Sequence, residues 1–242
     1  MKAPSVNLPV CPPVFSATTD SLIGAIPAAA NPTVRNWYCA HAVALTVHGQ
    51  EIGIKNSGWR ANPYLRTVEE SPNENPVGTV LLLLSEGYYV SFCGRQSGAL
   101  PEAGLICGMT GQDFRVLVSA PDGTVREGYL SAADFAAGAP RVVRGLRVHP
   151  DTVPFDRQAA CAELGAYLIS KDRTAAIRLS GTAGPRTRVL IAEHRRVICG
   201  TLRRLGADRH LCARYRDEVL PVCTPSAWAA EEEILFRALA SA

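Results

Sequence analysis

The sequence predicts an α+β protein, with an antiparallel β-rich N-terminal body of sandwich or open-barrel type and a helical, basic C-terminal part. Three observations carry this. Between Tyr88 and Leu130, short runs of apolar, β-branched and aromatic residues recur with turn signals about every ten residues. After Pro140 the apolar spacing changes from strand-like to helical. Charge changes with it: residues 1–140 hold 8 basic and 11 acidic side chains, residues 141–223 hold 16 and 8, and residues 224–242 hold 1 and 3. The expected divisions are a proline-rich lead-in at 1–33, a β-rich domain at 34–140 and a helical basic subdomain at 141–242.

The lead-in carries six prolines between Pro4 and Pro32 among small residues and shows little periodicity. Ala42–Val47, the turn His48-Gly49-Gln50 and Glu51–Lys55 read as a first hairpin. Residues 56–75 contain Asn62-Pro63, Ser71-Pro72 and a closing Asn75-Pro76, and read as a long surface connection. Val77–Leu84 is apolar on both parities and bounded by Pro76 and Gly87, which predicts a strand buried on both faces. It would pair with Tyr88–Cys93. Leu105–Met109 and Phe114–Val118 form the next pair, and Pro121-Asp122-Gly123 turns the chain into Thr124–Leu130.

In the C-terminal part, Asp156 opens a helix with Ala160, Leu164, Tyr167 and Leu168 on one face. Over 188–205, Ile191, Ile198, Leu202 and Leu205 share a face, with Gly200 weakening the middle by roughly 1 kcal/mol relative to alanine. Asp208 caps a further helix that must stop before Pro221, and Thr224-Pro225 starts a last one in which Trp228, Leu235 and Leu239 dock.

With 242 residues and 47% apolar composition the chain can bury a substantial core. No stretch reaches the roughly 18 to 20 apolar residues of a membrane span, so no membrane partner is expected. Met1-Lys2-Ala3-Pro4 begins no apolar signal core, which predicts an intracellular protein whose eight cysteines are reduced thiols.

Several residue sets bear on chemistry. Cys39, within Trp37-Tyr38-Cys39-Ala40-His41, has the setting of a nucleophilic cysteine at the start of a buried element, the cysteine-hydrolase alternative. His41 is too near in sequence to act as its base, so His149, His194 or His210 would have to approach through the fold. His194, Cys199, His210, Cys212 and Cys223 supply soft ligands for zinc, but their spacings match no compact finger and no Cys-x-x-Cys occurs. No phosphate loop or dinucleotide fingerprint is present, and no cofactor is expected. Gly53–Arg60 resembles the substrate loop of dUTPases, and Gly94–Gly98 their serine motif. Asn56 stands where that family carries aspartate and Trp59 where it carries tyrosine, so the resemblance implies at most a degenerate relative.

Ala44–Gly49, Gly78–Ser97 with its ending Phe92-Cys93-Gly94-Arg95-Gln96-Ser97, Ala103–Ile106 and Phe114–Val118 follow one another in an order that resembles the small alphaherpesvirus nuclear protein encoded beside the viral helicase gene. The resemblance covers about residues 40–135. It implies a non-enzymatic viral accessory protein of the host nucleus that binds a viral or host nuclear protein, with no active site to carry over. The basic segment supplies the candidate binding residues: Arg195, Arg196, Arg203 and Arg204, expected as one exposed patch for an acidic protein surface. Nucleic-acid binding is the alternative for the same patch, although few aromatics interleave with these arginines for base stacking.

Overall fold

A computed structural model describes residues 6–8, 33–70, 75–94, 100–101, 103–119, 125–140, 142–148, 153–181 and 184–242. The expected lead-in, apart from 6–8 and 33, lies outside the described residues, as do the Pro121-Asp122-Gly123 turn, residues 95–98 of the serine motif, and His149.

In chain order the elements are β1 (Val6–Asn7), α1 (Thr33–His41), β2 (Leu45–His48), β3 (Glu51–Ile54), β4 (Leu65–Glu70), α2 (Pro76–Ser85), β5 (Tyr89–Cys93), β6 (Ala103–Thr110), β7 (Asp113–Ser119), β8 (Val125–Ser131), α3 (Ala132–Ala137), β9 (Val142–Val148), α4 (Arg157–Leu168), α5 (Lys171–Ser180), α6 (Pro185–Leu205), α7 (Arg209–Arg214) and α8 (Pro225–Ala240). The α+β class with an antiparallel sheet and a helical C-terminal part is the fold observed. The described residues divide into two units, one drawn from 6–8 and 63–148 and the other from 33–62 and 153–242.

The first unit is one antiparallel sheet in the order β4-β9-β5-β6-β7-β8, with β1 added to β6. Val90, Phe92, Ile106, Phe114, Val116 and Val143 pack with Val80, Leu83 and Leu84 of α2 and Phe135 of α3, so the layer over this sheet face is helical. Phe135 sits edge-on to both Phe92 and Phe114. The β6–β7 hairpin turns through Gly111 at φ 67°, a left-handed position that glycine fills without strain.

Two expectations for this unit are corrected. Val77–Leu84 is helix α2, not a strand: Asn75 Oδ1 accepts from the Gly78 N–H at 2.8 Å and Pro76 takes the first turn. Val77, Val80, Leu81 and Leu84 recur at helical spacing toward the core, while Leu82 is 60% exposed, which a doubly buried strand would not allow. Asn75→Ala should therefore cost about 1 kcal/mol in chemical denaturation, whereas a strand would be indifferent to it. The domain boundary at 140 also moves. Val142–Val148 is strand β9, hydrogen-bonded between β4 and β5, and the connection read at 56–75 contains β4. Arg144 and Arg147, which the charge count placed in the basic subdomain, belong to this sheet; Arg147 lies 4.8 Å from the Tyr88 ring centre and donates to the Glu86 carbonyl.

The second unit is mainly helical and includes residues 33–62, which the sequence placed with the strands. The β2–β3 hairpin forms as expected, turning at Gly49 with φ 63°. Ahead of it, α1 buries Val34, Tyr38 and Cys39 and packs against α4 and α6. Asp156, Ser170, Asp208 and Thr224 each accept from a backbone N–H at the start of α4, α5, α7 and α8. Gly200 has a packing role in α6: a Cβ there would stand 3.1 Å from Cys39 Sγ, and next to it Thr201 Oγ1 donates to the Cys39 carbonyl at 2.6 Å.

Candidate functional site

The arginine-rich helix α6 begins at Pro185 and ends where Gly206 adopts φ 72°, with the N–H of Gly206 bonded to the Arg203 carbonyl and that of Ala207 to the Leu202 carbonyl. Ile191, Ile198, Leu202 and Leu205 are buried, as the spacing predicts. Arg195 falls on the same stripe, four residues after Ile191 and three before Ile198, and is 0% exposed. It is therefore not part of a surface patch.

Arg195 belongs to a buried polar network built around Glu231 of α8, which occupies the corresponding stripe between Trp228 and Leu235. The Glu231 carboxylate accepts from the hydroxyls of Tyr167 (2.9 Å) and Tyr215 (2.8 Å), and lies 3.7 Å from Arg195 Nε and 3.9 Å from Arg173 Nε. Arg195 lies 4.4 Å from the Trp228 ring centre. Its Nη1 donates to the carbonyls of Val219 (2.7 Å) and Val222, tying α6 to the end of the π-helical turn Tyr215–Val219. Burial pushes the Glu231 carboxyl above its ordinary pKa, against the pull of Arg195 and the two hydroxyls. Beside the network, His194 donates through Nε2 to the Val43 carbonyl at 2.7 Å, and Nδ1 has no hydrogen-bond partner among the described residues. Burial holds its pKa down at about 4, so the ring is neutral.

The other expected patch residues divide again. Arg204 is half-buried, donating to Asn36 Oδ1 at 3.0 Å and to the Gly200 carbonyl. Arg196 and Arg203 are exposed, and among the described residues neither is ion-paired. Sequence reasoning missed Arg209, also exposed and unpaired, at the first position of α7. Further along, Arg214 is neutralised by Glu218 and Glu233, and Arg216 by Asp217. Arg203, Asp208, Arg209, Cys212 and Arg216 line a surface pocket of about 590 Å³ where α6 turns into α7. The α6–α7 junction was legible at Gly206-Ala207-Asp208, a helix stop followed by a cap. The clustering of arginines on both sides of it was the missed signal.

The chemical alternatives fare differently. Cys39 is buried in α1, and burial raises its thiol pKa against the pull of Arg204 and Arg35, which holds the sulfur as an un-ionised thiol at neutral pH. His194 is committed to Val43, while His41 stacks near Trp37 and His210 is exposed on α7. Among the described residues no three His, Cys, Asp or Glu side chains gather as a metal site. Asn56, the departure from the dUTPase loop, holds φ 60° and donates to the His41 carbonyl at 3.0 Å, a turn-stabilising role. No helix of the described residues is long and apolar enough to cross a membrane.

No family model matches the chain, and no curated protein does.

Proposed function

We propose that the protein acts by binding rather than catalysis, as a viral accessory protein of the infected-cell nucleus that engages an acidic surface on a viral or host nuclear protein. The nuclear and viral setting is what the resemblance implies. The observation that supports the mode of action is the trio Arg196, Arg203 and Arg209, exposed on the second unit and without an ion-pair partner among the described residues, while Arg195 is buried and Arg214 and Arg216 are neutralised. Asp208, Asp217 and Glu218 interleave with the arginines. Such a mixed rim suits the discrete carboxylates of a protein better than a continuous phosphate backbone, which demands a run of one sign.

The test is capture of nuclear partners by the full chain and by the variant Arg196→Gln/Arg203→Gln/Arg209→Gln, with captured proteins identified by mass spectrometry. At roughly 0.2–1 kcal/mol per exposed pair, losing three should weaken capture of an acidic partner about tenfold. Raised salt should weaken the parent in the same way. An unchanged captured set would remove this reading, and replacement of proteins by nucleic acid among the salt-sensitive ligands would favour the alternative.

A further inference from the structure

We propose that the pocket at the α6–α7 junction is a phosphate-recognition site for a phosphorylated serine or threonine side chain on the protein partner, so that phosphorylation of the partner controls binding. This rests on the binding reading above and specifies its ligand. Arg203 approaches the pocket from the last turn of α6 and Arg209 from the first turn of α7. A third guanidinium stands near: a Cβ on Gly206 would lie 4.0 Å from Nη1 of Arg157, which is also exposed and unpaired among the described residues.

The charges identify the ligand class. Arg216 is matched by Asp217, with Nε to Oδ1 at 2.7 Å, and so adds no net charge. Asp208 offsets one arginine, and its Oδ1 accepts from the His210 N–H at 2.7 Å. Arg203 and Arg209 in the lining and Arg157 beside its Gly206 edge, set against Asp208, give the pocket and its rim a net charge of +2. A carboxylate brings one charge and two oxygens, enough for one guanidinium; a phosphate monoester brings about −1.5 to −2 and three acceptor oxygens, enough for two or three. A pocket of about 590 Å³ holds the phosphorylated side chain together with adjoining backbone. Arginine also fits this task better than lysine, because its planar fork meets phosphate oxygens two at a time.

The experiment measures fluorescence anisotropy of labelled Gly/Ser nonapeptides on the full chain, with phosphoserine, serine or glutamate at the centre, and with oligothymidine as a nucleic-acid probe. Phosphoserine should bind about tenfold more tightly than glutamate, reflecting the extra charge-assisted bonds. Arg203→Gln/Arg209→Gln should abolish that preference while melting with the parent, and Arg209→Gln alone should reduce it. Equal binding of phosphoserine and glutamate would overturn the inference but leave the acidic-partner reading standing. Persistence of the preference in the double variant would overturn it too, as would tighter binding of oligothymidine than of the phosphopeptide. Failure of every peptide to bind would also end it, and the capture experiment would then decide the broader reading separately.

Discussion

Glu231→Leu is expected to destabilise the protein by about 3–5 kcal/mol, because it strands a buried guanidinium. Arg195 is wholly buried and retains its carbonyl partners and the Trp228 face, but loses its counter-charge. The hydroxyls of Tyr167 and Tyr215 lose their acceptor in the same step. Thermal unfolding should fall by about 10 °C for a chain of this size. The double variant Arg195→Met/Glu231→Leu should recover part of the loss, since two apolar side chains replace the pair and no lone charge remains. A Glu231→Leu protein that melts with the parent would show that the network does not hold the second unit together.

The second large effect is a loss of stability on acidification. His194 takes up a proton near pH 4 in the fold, whereas an unfolded histidine does so near 6.5. Its folded pKa is the lower, so the unfolded chain binds the proton first as pH falls. The contribution of neutral His194 is thus intact above about 6.5, declines between about 6.5 and 4, and is fully lost below, a total of about 3 kcal/mol. Glu231 works in the opposite sense, since its raised pKa favours proton uptake by the fold. The comparison is therefore with His194→Gln, which retains a donor for the Val43 carbonyl and does not titrate. Denaturation across this range should show a slope flatter by about one proton in the variant. Identical slopes would mean that His194 is charged or accessible in the folded protein.

The contrast between α2 and β5 shows where the sequence was legible. Tyr89–Cys93 is a strand as read, because aromatic and β-branched residues with a flanking Gly87 leave few alternatives, but it pairs with β6 and β9 and not with Val77–Leu84. Val77–Leu84 was ambiguous, since a run apolar at every position satisfies both periods; the decisive residue was Asn75, a helix cap read as part of a turn. Strand β9 was hidden by Arg144 and Arg147, whose charges suggested the basic subdomain although valines flank them in the strand. In the second unit the stripe on α6 was read correctly except at its charged member; on α8, Trp228 and Leu235 are buried as read, but Leu239 is only half-buried and the face is completed by Ile234 and Ala238. Arg195 and Glu231 each interrupt an apolar face, and two opposite charges at stripe positions signal a buried pair only once the helices are known to meet. Arg204 resembled a surface charge for a related reason: its partner, Asn36, is 168 residues away. Arg196 and Arg203 keep the exposure the spacing predicted.

The central claim is that the arginines of this segment serve two purposes, Arg195 holding the fold and Arg203 and Arg209 meeting the partner. One paired measurement tests it most directly: thermal unfolding and partner binding, recorded on the same preparations of Arg195→Gln and Arg203→Gln/Arg209→Gln. The first variant should melt well below the parent. The second should melt with the parent and bind its captured partner several-fold more weakly, about what two exposed ion pairs contribute. A second variant that is fully folded and binds as the parent does would contradict the account.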